Sequence, residues 1–140
     1  MTMAARILIL EDDRASRELL IYLLTAAGYE VRVSDNGLHG LSMAREWNPH
    51  LVLCDLQMPG MNGYEVLSSI KAGANHRRMP VIAVTALSMA EDRAKTLAAG
   101  FDGYFSKPIT PETFVVDIER FLPPEIRVAT SGIAGPGNSG

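Results

Sequence analysis

The chain has 140 residues, 47% of them hydrophobic and 21% charged, with a formal net charge of −3; this suits one domain with a buried core, and without a Lys/Arg run it excludes a surface that tracks nucleic acid. A single cysteine, Cys54, excludes an internal disulfide and a cysteine-based zinc site. The early apolar run at 7–10 is too short for a bilayer span or a signal sequence, so a cytoplasmic protein without membrane insertion is expected.

Arg6-Ile7-Leu8-Ile9-Leu10 suits a first buried strand, and it ends on three acids, Glu11, Asp12 and Asp13. Asp13 is placed to N-cap a helix over 14–27, with Leu19, Leu20, Leu23, Leu24 and Ala27 as its buried stripe and Gly28 as its stop. Residues 29–34 alternate apolar and polar side chains, as an edge strand does. A second helix is predicted over 38–47, with Leu38, Leu41, Met43, Ala44 and Trp47 apolar and Pro49 closing it. Leu51-Val52-Leu53-Cys54-Asp55 reads as a strand buried on both faces that ends on a carboxylate. Its buried position makes Cys54 a packing residue rather than a reactive one.

Met58 and Met61 fall in the loop that follows and are expected to pack it. Asn62 and Glu65 then match a cap and its partner three positions on, opening a helix over 64–72. The polar stretch 73–79 reads as a loop. Pro80 introduces Val81-Ile82-Ala83-Val84-Thr85, a buried strand that ends on a hydroxyl. Ser88 and Glu91 match a capping box for a helix to Ala99, stopped at Gly100. Gly103-Tyr104-Phe105-Ser106 is a short fifth strand leading into Lys107-Pro108. Thr110 as N-cap and Pro111 at the first helical position launch a last helix to about Phe121. A folded domain over 1–122 and a Pro/Gly/Ser-rich tail or linker root over 123–140 are therefore predicted.

Five alternations of strand and helix at crossover spacing predict an α/β fold, a parallel sheet with helices on both faces. In such a sheet all strand C-termini share one edge, so the three acids Glu11, Asp12 and Asp13 converge with Asp55, Thr85 and Lys107 although they are distant in sequence. Alone, Asp55 is equally a turn or cap residue; its company decides. Clustered carboxylates repel unless a cation or protons neutralise them, and an oxygen-only set without His or Cys favours Mg²⁺. A Lys ammonium and a Thr hydroxyl aimed at the same place suit an incoming phosphoryl group, and Asp is a competent nucleophile toward phosphorus. His39, His50 and His76 show no ligand spacing.

The residues Ile7-Leu8-Ile9-Leu10-Glu11-Asp12, Asp55-Leu56-Gln57-Met58-Pro59 with Gly63, Val84-Thr85-Ala86 and Lys107-Pro108-Ile109 resemble the response-regulator receiver domain of two-component signalling. The resemblance covers roughly residues 6–122. It implies a doubly wound, flavodoxin-like (βα)5 fold of strand order 2-1-3-4-5. It further implies Asp55 as phosphoacceptor, Asp12 as a direct Mg²⁺ ligand, Glu11 holding the metal through water, and the backbone carbonyl of Gln57 as a third ligand. Lys107 would contact the phosphoryl oxygens, with a cis bond to Pro108. Thr85 would swing toward the phosphate and Tyr104 rotate inward with it.

The function implied is a switch phosphorylated by a histidine kinase or histidine phosphotransfer protein, read by a downstream protein and touching no nucleic acid directly. The donor would dock on the helix starting at Arg14. The readout face would be the fourth helix, fifth strand and fifth helix, with Arg93, Lys95 and Phe101 on it or close to it. Two other classes compete. An aspartate-nucleophile phosphatase would carry a second Asp where Gln57 stands, which argues against an enzyme acting on external substrates. A phosphate-blind binding module would have no use for the intact set of acids, Thr85 and Lys107.

Overall fold

The computed structural model describes residues 4–73, 79–87 and 89–127. The apolar runs form β1 (Arg6–Leu10), β2 (Glu30–Ser34), β3 (Leu51–Cys54), β4 (Val81–Thr85) and β5 (Gly103–Ser106). Between and after them lie α1 (Arg14–Ala26), α2 (Gly37–Trp47), α3 (Gly63–Ala72), α4 (Ala90–Ala98) and α5 (Pro111–Glu119). One 3₁₀ turn, Pro124–Ile126, follows where Pro123 and Pro124 end the last helix. The strands pair in parallel in the order β2-β1-β3-β4-β5, as expected. The alternating β2 is indeed an edge, and the uniformly apolar β3 and β4 lie inside and are buried along their length. Register sets Leu10 opposite both Ser34 and Cys54, so the ends of β1 and β3 are level.

Successive strand residues point to opposite faces and build two cores. On one face Leu8, Leu10, Val52, Cys54, Val81 and Ala83 pack with Leu41 and Ala44 of α2 and with Val66, Leu67 and Ile70 of α3. On the other, Ile7, Ile9, Leu53 and Val84 pack with Leu20 and Leu24 of α1 and with Phe114 and Ile118 of α5. Residues of α4 enter neither cluster, and its one buried residue is Thr96.

The helix faces differ from expectation in two places. In α1 only Leu20 and Leu24 are buried, while Leu19, Leu23 and Ala27 are half-buried, so the stripe is narrower than predicted. In α2 the expected apolar residue Leu38 is 56% exposed. The reason is close approach: the buried row is Gly37, Gly40, Leu41 and Ala44, and a Cβ on Gly40 would lie 2.3 Å from Leu10 Cδ2. That spacing turns Leu38 outward.

The caps follow the sequence with two exceptions. Asp13 Oδ2 accepts from Ser16 N at 2.9 Å, and Asn62 and Glu65 form a reciprocal capping box. Thr110 holds the N-cap position of α5 without a side-chain bond, leaving Pro111 to set the entry. At α4, Met89 is the N-cap and donates its N–H to Asp92 Oδ2; the predicted cap Ser88 lies outside the described residues. So do 74–78, with His76, and the tail over 128–140.

Candidate functional site

The acidic loop after β1 is fixed from three directions. Glu11 N donates to Ser34 O (2.9 Å), Asp13 N donates to Glu11 Oε2 (3.1 Å), and the Arg17 guanidinium, one turn into α1, donates to the carbonyls of Glu11 and Asp12. Arg17 is a site-shaping residue that sequence reasoning did not assign. Its place one turn past the Asp13 cap was the available signal. Asp55, one residue past β3, is bound through its N to Leu10 O (2.9 Å), which ties the two acid-bearing strand ends together.

The predicted site residues do converge. Glu11, Asp12 and Asp55 offer carboxylate oxygens that all lie within 4.8 Å of one another, with Glu11 and Asp55 buried and Asp12 exposed. Lys107 Nζ stands 2.7 Å from Glu11 Oε1 and 2.8 Å from Asp55 Oδ2, bridging the two buried acids. Asp55 Oδ1 accepts from Gln57 N at 3.1 Å, so both Asp55 oxygens are held. Lys107 is aimed there because its own N–H continues the β4–β5 ladder to Thr85 O at 2.8 Å. The Lys107–Pro108 bond is cis.

Thr85 is fully buried at the end of β4, where among the described residues its hydroxyl receives only a long bond, 3.4 Å, from Leu87 N. Tyr104 packs against the α2/α3 core, and its buried hydroxyl meets no hydrogen-bond partner among the described residues. Arg93 sits 6.0 Å from the Tyr104 ring centroid. Gln57, at the position where an aspartate-nucleophile phosphatase would carry a second Asp, is exposed. Phe101, expected on the readout face or close to it, is buried at 4% exposed and packs edge-on to Tyr64. Its neighbour Asp102 binds back to Val81 through both main chain and carboxylate, and this pins the turn with the ring inward. Met58 and Met61 pack the loop as expected. His50 is structural, its Nδ1 accepting from Arg6 N.

Electrostatics follow from the burial. Loss of solvent raises the Glu11 carboxyl to about 7, against the lowering by the Lys107 and Asp13 hydrogen bonds. Burial alone would lower the Lys107 ammonium, but its bonds to Asp55 and Glu11 outweigh that and raise it. Burial, with the Asp55 and Glu11 charges, pushes the Cys54 thiol up, in keeping with an inert thiol.

Folded Glu11 holds its proton to higher pH than the unfolded chain does, so between about 4.5 and about 7 the native state binds more protons. Stability in EDTA should therefore fall as pH rises through that window. Urea titrations of Glu11→Gln should show that slope flattened.

The donor set fits a hard divalent cation. It is three carboxylates without nitrogen or sulfur, two of them buried beside each other and balanced by a single ammonium. Beside Lys107 an apolar groove of ≈ 160 Å³ runs along α1, lined by Ala15, Leu19, Val84, Pro108 and Ile109. No helix among the described residues is long and apolar enough to cross a membrane.

Comparison with known proteins agrees with this geometry. The family model "Response regulator receiver domain" matches residues 7–119. The polar-differentiation response regulator DivK of Brucella anthropi is 38% identical over 120 residues, which is 86% of this chain and 98% of that protein. Chemotaxis protein CheY4 of Vibrio cholerae superposes with a TM-score of 0.79 at 27% identity, covering 86% of this chain and all of that one. The receiver domain of sensor histidine kinase PA1611 from Pseudomonas aeruginosa, solved with a magnesium ion coordinated in its active-site cleft, gives 0.78 at 28% identity over 85% of this chain and 98% of that one.

Proposed function

Because this chain belongs to the response regulator receiver domain family of two-component signalling, we propose that it is a phosphorylation-activated switch with Asp55 as its phosphoacceptor. The observation that carries this reading is the Lys107 ammonium bridging Asp55 and Glu11 within a three-acid cluster. Packing alone has no need of two buried carboxylates at one point, and leaving them there costs stability unless they are compensated.

Asp12, Asp55 and the Gln57 carbonyl would hold Mg²⁺, with Glu11 reaching it through water. Bound there, the ion supplies positive charge to the oxygens of the incoming phosphoryl group. The Gln57 N–H fixes Asp55 Oδ1, which orients the carboxylate. An Asp55 oxygen forms the new O–P bond with its lone pair as the donor's P–N bond to histidine breaks, and the imidazole leaves with the bonding pair. Lys107 gives up its contact with Asp55 Oδ2 and turns to the phosphoryl oxygens, while Thr85 donates its weakly used hydroxyl to the same group. The added charge pulls both strand ends inward and alters the packing of Tyr104 behind them.

The groove along α1 beside Lys107 suits docking of a histidine kinase or histidine phosphotransfer protein, because it sets an apolar surface next to the acceptor. The face of α4, β5 and α5 is the readout for a downstream protein, and the setting is cytoplasmic. The folded unit is assigned to residues 1–122 and the remainder to a tail or linker.

Beryllium fluoride, a tetrahedral stand-in for the phosphoryl group, tests the site. With Mg²⁺ present it should move the amide resonances of Thr85, Tyr104 and Lys107 beyond their positions in Mg²⁺ alone. Resonances that respond to Mg²⁺ and not further to beryllium fluoride would contradict the reading.

A further inference from the structure

The fourth helix is held differently from the other four. It places no residue in either core cluster, Leu97 is 38% exposed, and Thr96 is its one buried side chain. A helix so mounted lacks the apolar face that normally supplies most helical stability. What it has is a directional polar attachment. Thr96 Oγ1 donates to Asp92 O at 2.7 Å, one turn back along α4. A threonine hydroxyl carries one proton, and that bond uses it. The 3.1 Å contact between Thr96 Oγ1 and the Tyr64 hydroxyl must then run from Tyr64 to Thr96.

Tyr64 is itself firmly seated. Its ring lies edge-on to Phe101 at 5.8 Å between centroids, with Lys95 Nζ of α4 5.6 Å from the ring centroid. It directly follows Gly63, whose N donates to Leu56 O at 3.0 Å. A Cβ on Gly63 would lie 2.7 Å from Asp55 O and 2.8 Å from the Leu56 Cα, so the start of α3 is pressed against the Asp55 loop. A displacement of that loop has no slack to absorb it before Tyr64.

We propose that Tyr64 is a positioning residue whose hydroxyl latches α4, through Thr96, to the loop that carries Asp55. The latch gives the Asp55 loop a path to α4 that bypasses Thr85 and Tyr104. This rests on the phosphoacceptor reading for what moves the loop, but the latch itself is present in the unmodified protein.

Hydrogen exchange of the full chain tests both parts. Tyr64→Phe and Thr96→Val each remove one hydroxyl and preserve shape. In the unmodified protein Tyr64→Phe should speed exchange of the α4 amides about fivefold, the worth of one neutral hydrogen bond, and Thr96→Val, which also removes the bond to Asp92 O, at least as much, with those of α1 and α5 unchanged in both. The double variant should be no faster than Thr96→Val, because the two substitutions remove the same bond. Exchange in Tyr64→Phe equal to wild type would overturn the latch.

A second arm adds acetyl phosphate and Mg²⁺. Phosphorylation should speed α4 exchange in wild type and add less in Tyr64→Phe, where the latch is already open. The same increment in both proteins would refute the path from the Asp55 loop. Absence of phosphoryl incorporation in wild type would defeat the phosphoacceptor reading instead, with the latch still decided by the unmodified proteins.

Discussion

Lys107→Ala is expected to lower stability in EDTA by about 3 kcal/mol, the typical cost of removing one partner from a buried ion pair. It should also make the fold markedly more dependent on Mg²⁺. The reasoning starts from the two carboxylates that Lys107 serves: its ammonium lies 2.7 Å from Glu11 and 2.8 Å from Asp55, and Glu11 is 1% exposed. Without it, two buried acids face each other with no counter-charge, and Glu11, already raised by burial, is pushed further toward its protonated form. A divalent cation replaces the missing charge, so the deficit should shrink on adding Mg²⁺. Phosphorylation should no longer propagate, since the group proposed to turn from Asp55 to the phosphoryl oxygens is gone. Chemical denaturation of both proteins with and without Mg²⁺ checks this; equal losses in the two conditions would mean that Lys107 is not the acids' counter-ion.

Asp55→Asn should eliminate phosphoryl incorporation while leaving the fold in place. The amide is isosteric, and its oxygen can keep the bond from Gln57 N that Asp55 Oδ1 now accepts. Lys107 retains Glu11 as its partner, so the ammonium is not stranded. What disappears is the anionic oxygen proposed as the nucleophile, and a neutral amide does not take its place at phosphorus. Mg²⁺ affinity should fall as well, because one of the three clustered carboxylates is lost. Circular dichroism and intact mass after acetyl phosphate treatment separate the two effects: a native spectrum with unchanged mass is the expected pair. Continued incorporation at wild-type stoichiometry would place the acceptor elsewhere.

Much of the site was legible because its chemistry stands at strand ends. Leu10, Cys54, Thr85 and Ser106 each close a strand, and the residues at or just past those ends supply the acids, the hydroxyl and the lysine. Parallel pairing then brings Glu11, Asp55 and Lys107 together with no further assumption. The Asp13 and Asn62 caps were legible for a related reason, since a cap and its bonded partner lie within one turn. What sequence could not supply is the rotation of each element about its own axis. Leu38 faces solvent because Gly40 lets α2 approach Leu10 while Gly37 lies against the Met61 backbone. Phe101 turns into the core because Asp102 is anchored to Val81 across the sheet. The Tyr64–Thr96 bond joins residues 32 apart, a pairing that no local pattern announces.

The most direct test of the account is the intact mass of the wild-type chain after incubation with acetyl phosphate, once with Mg²⁺ and once with EDTA. The predicted result is a gain of one phosphoryl group in Mg²⁺ and none in EDTA. An unchanged mass in Mg²⁺ at donor concentrations that label other receiver domains, or equal labelling in EDTA, would contradict the claim that these clustered acids and Lys107 form a metal-assisted phosphoacceptor site.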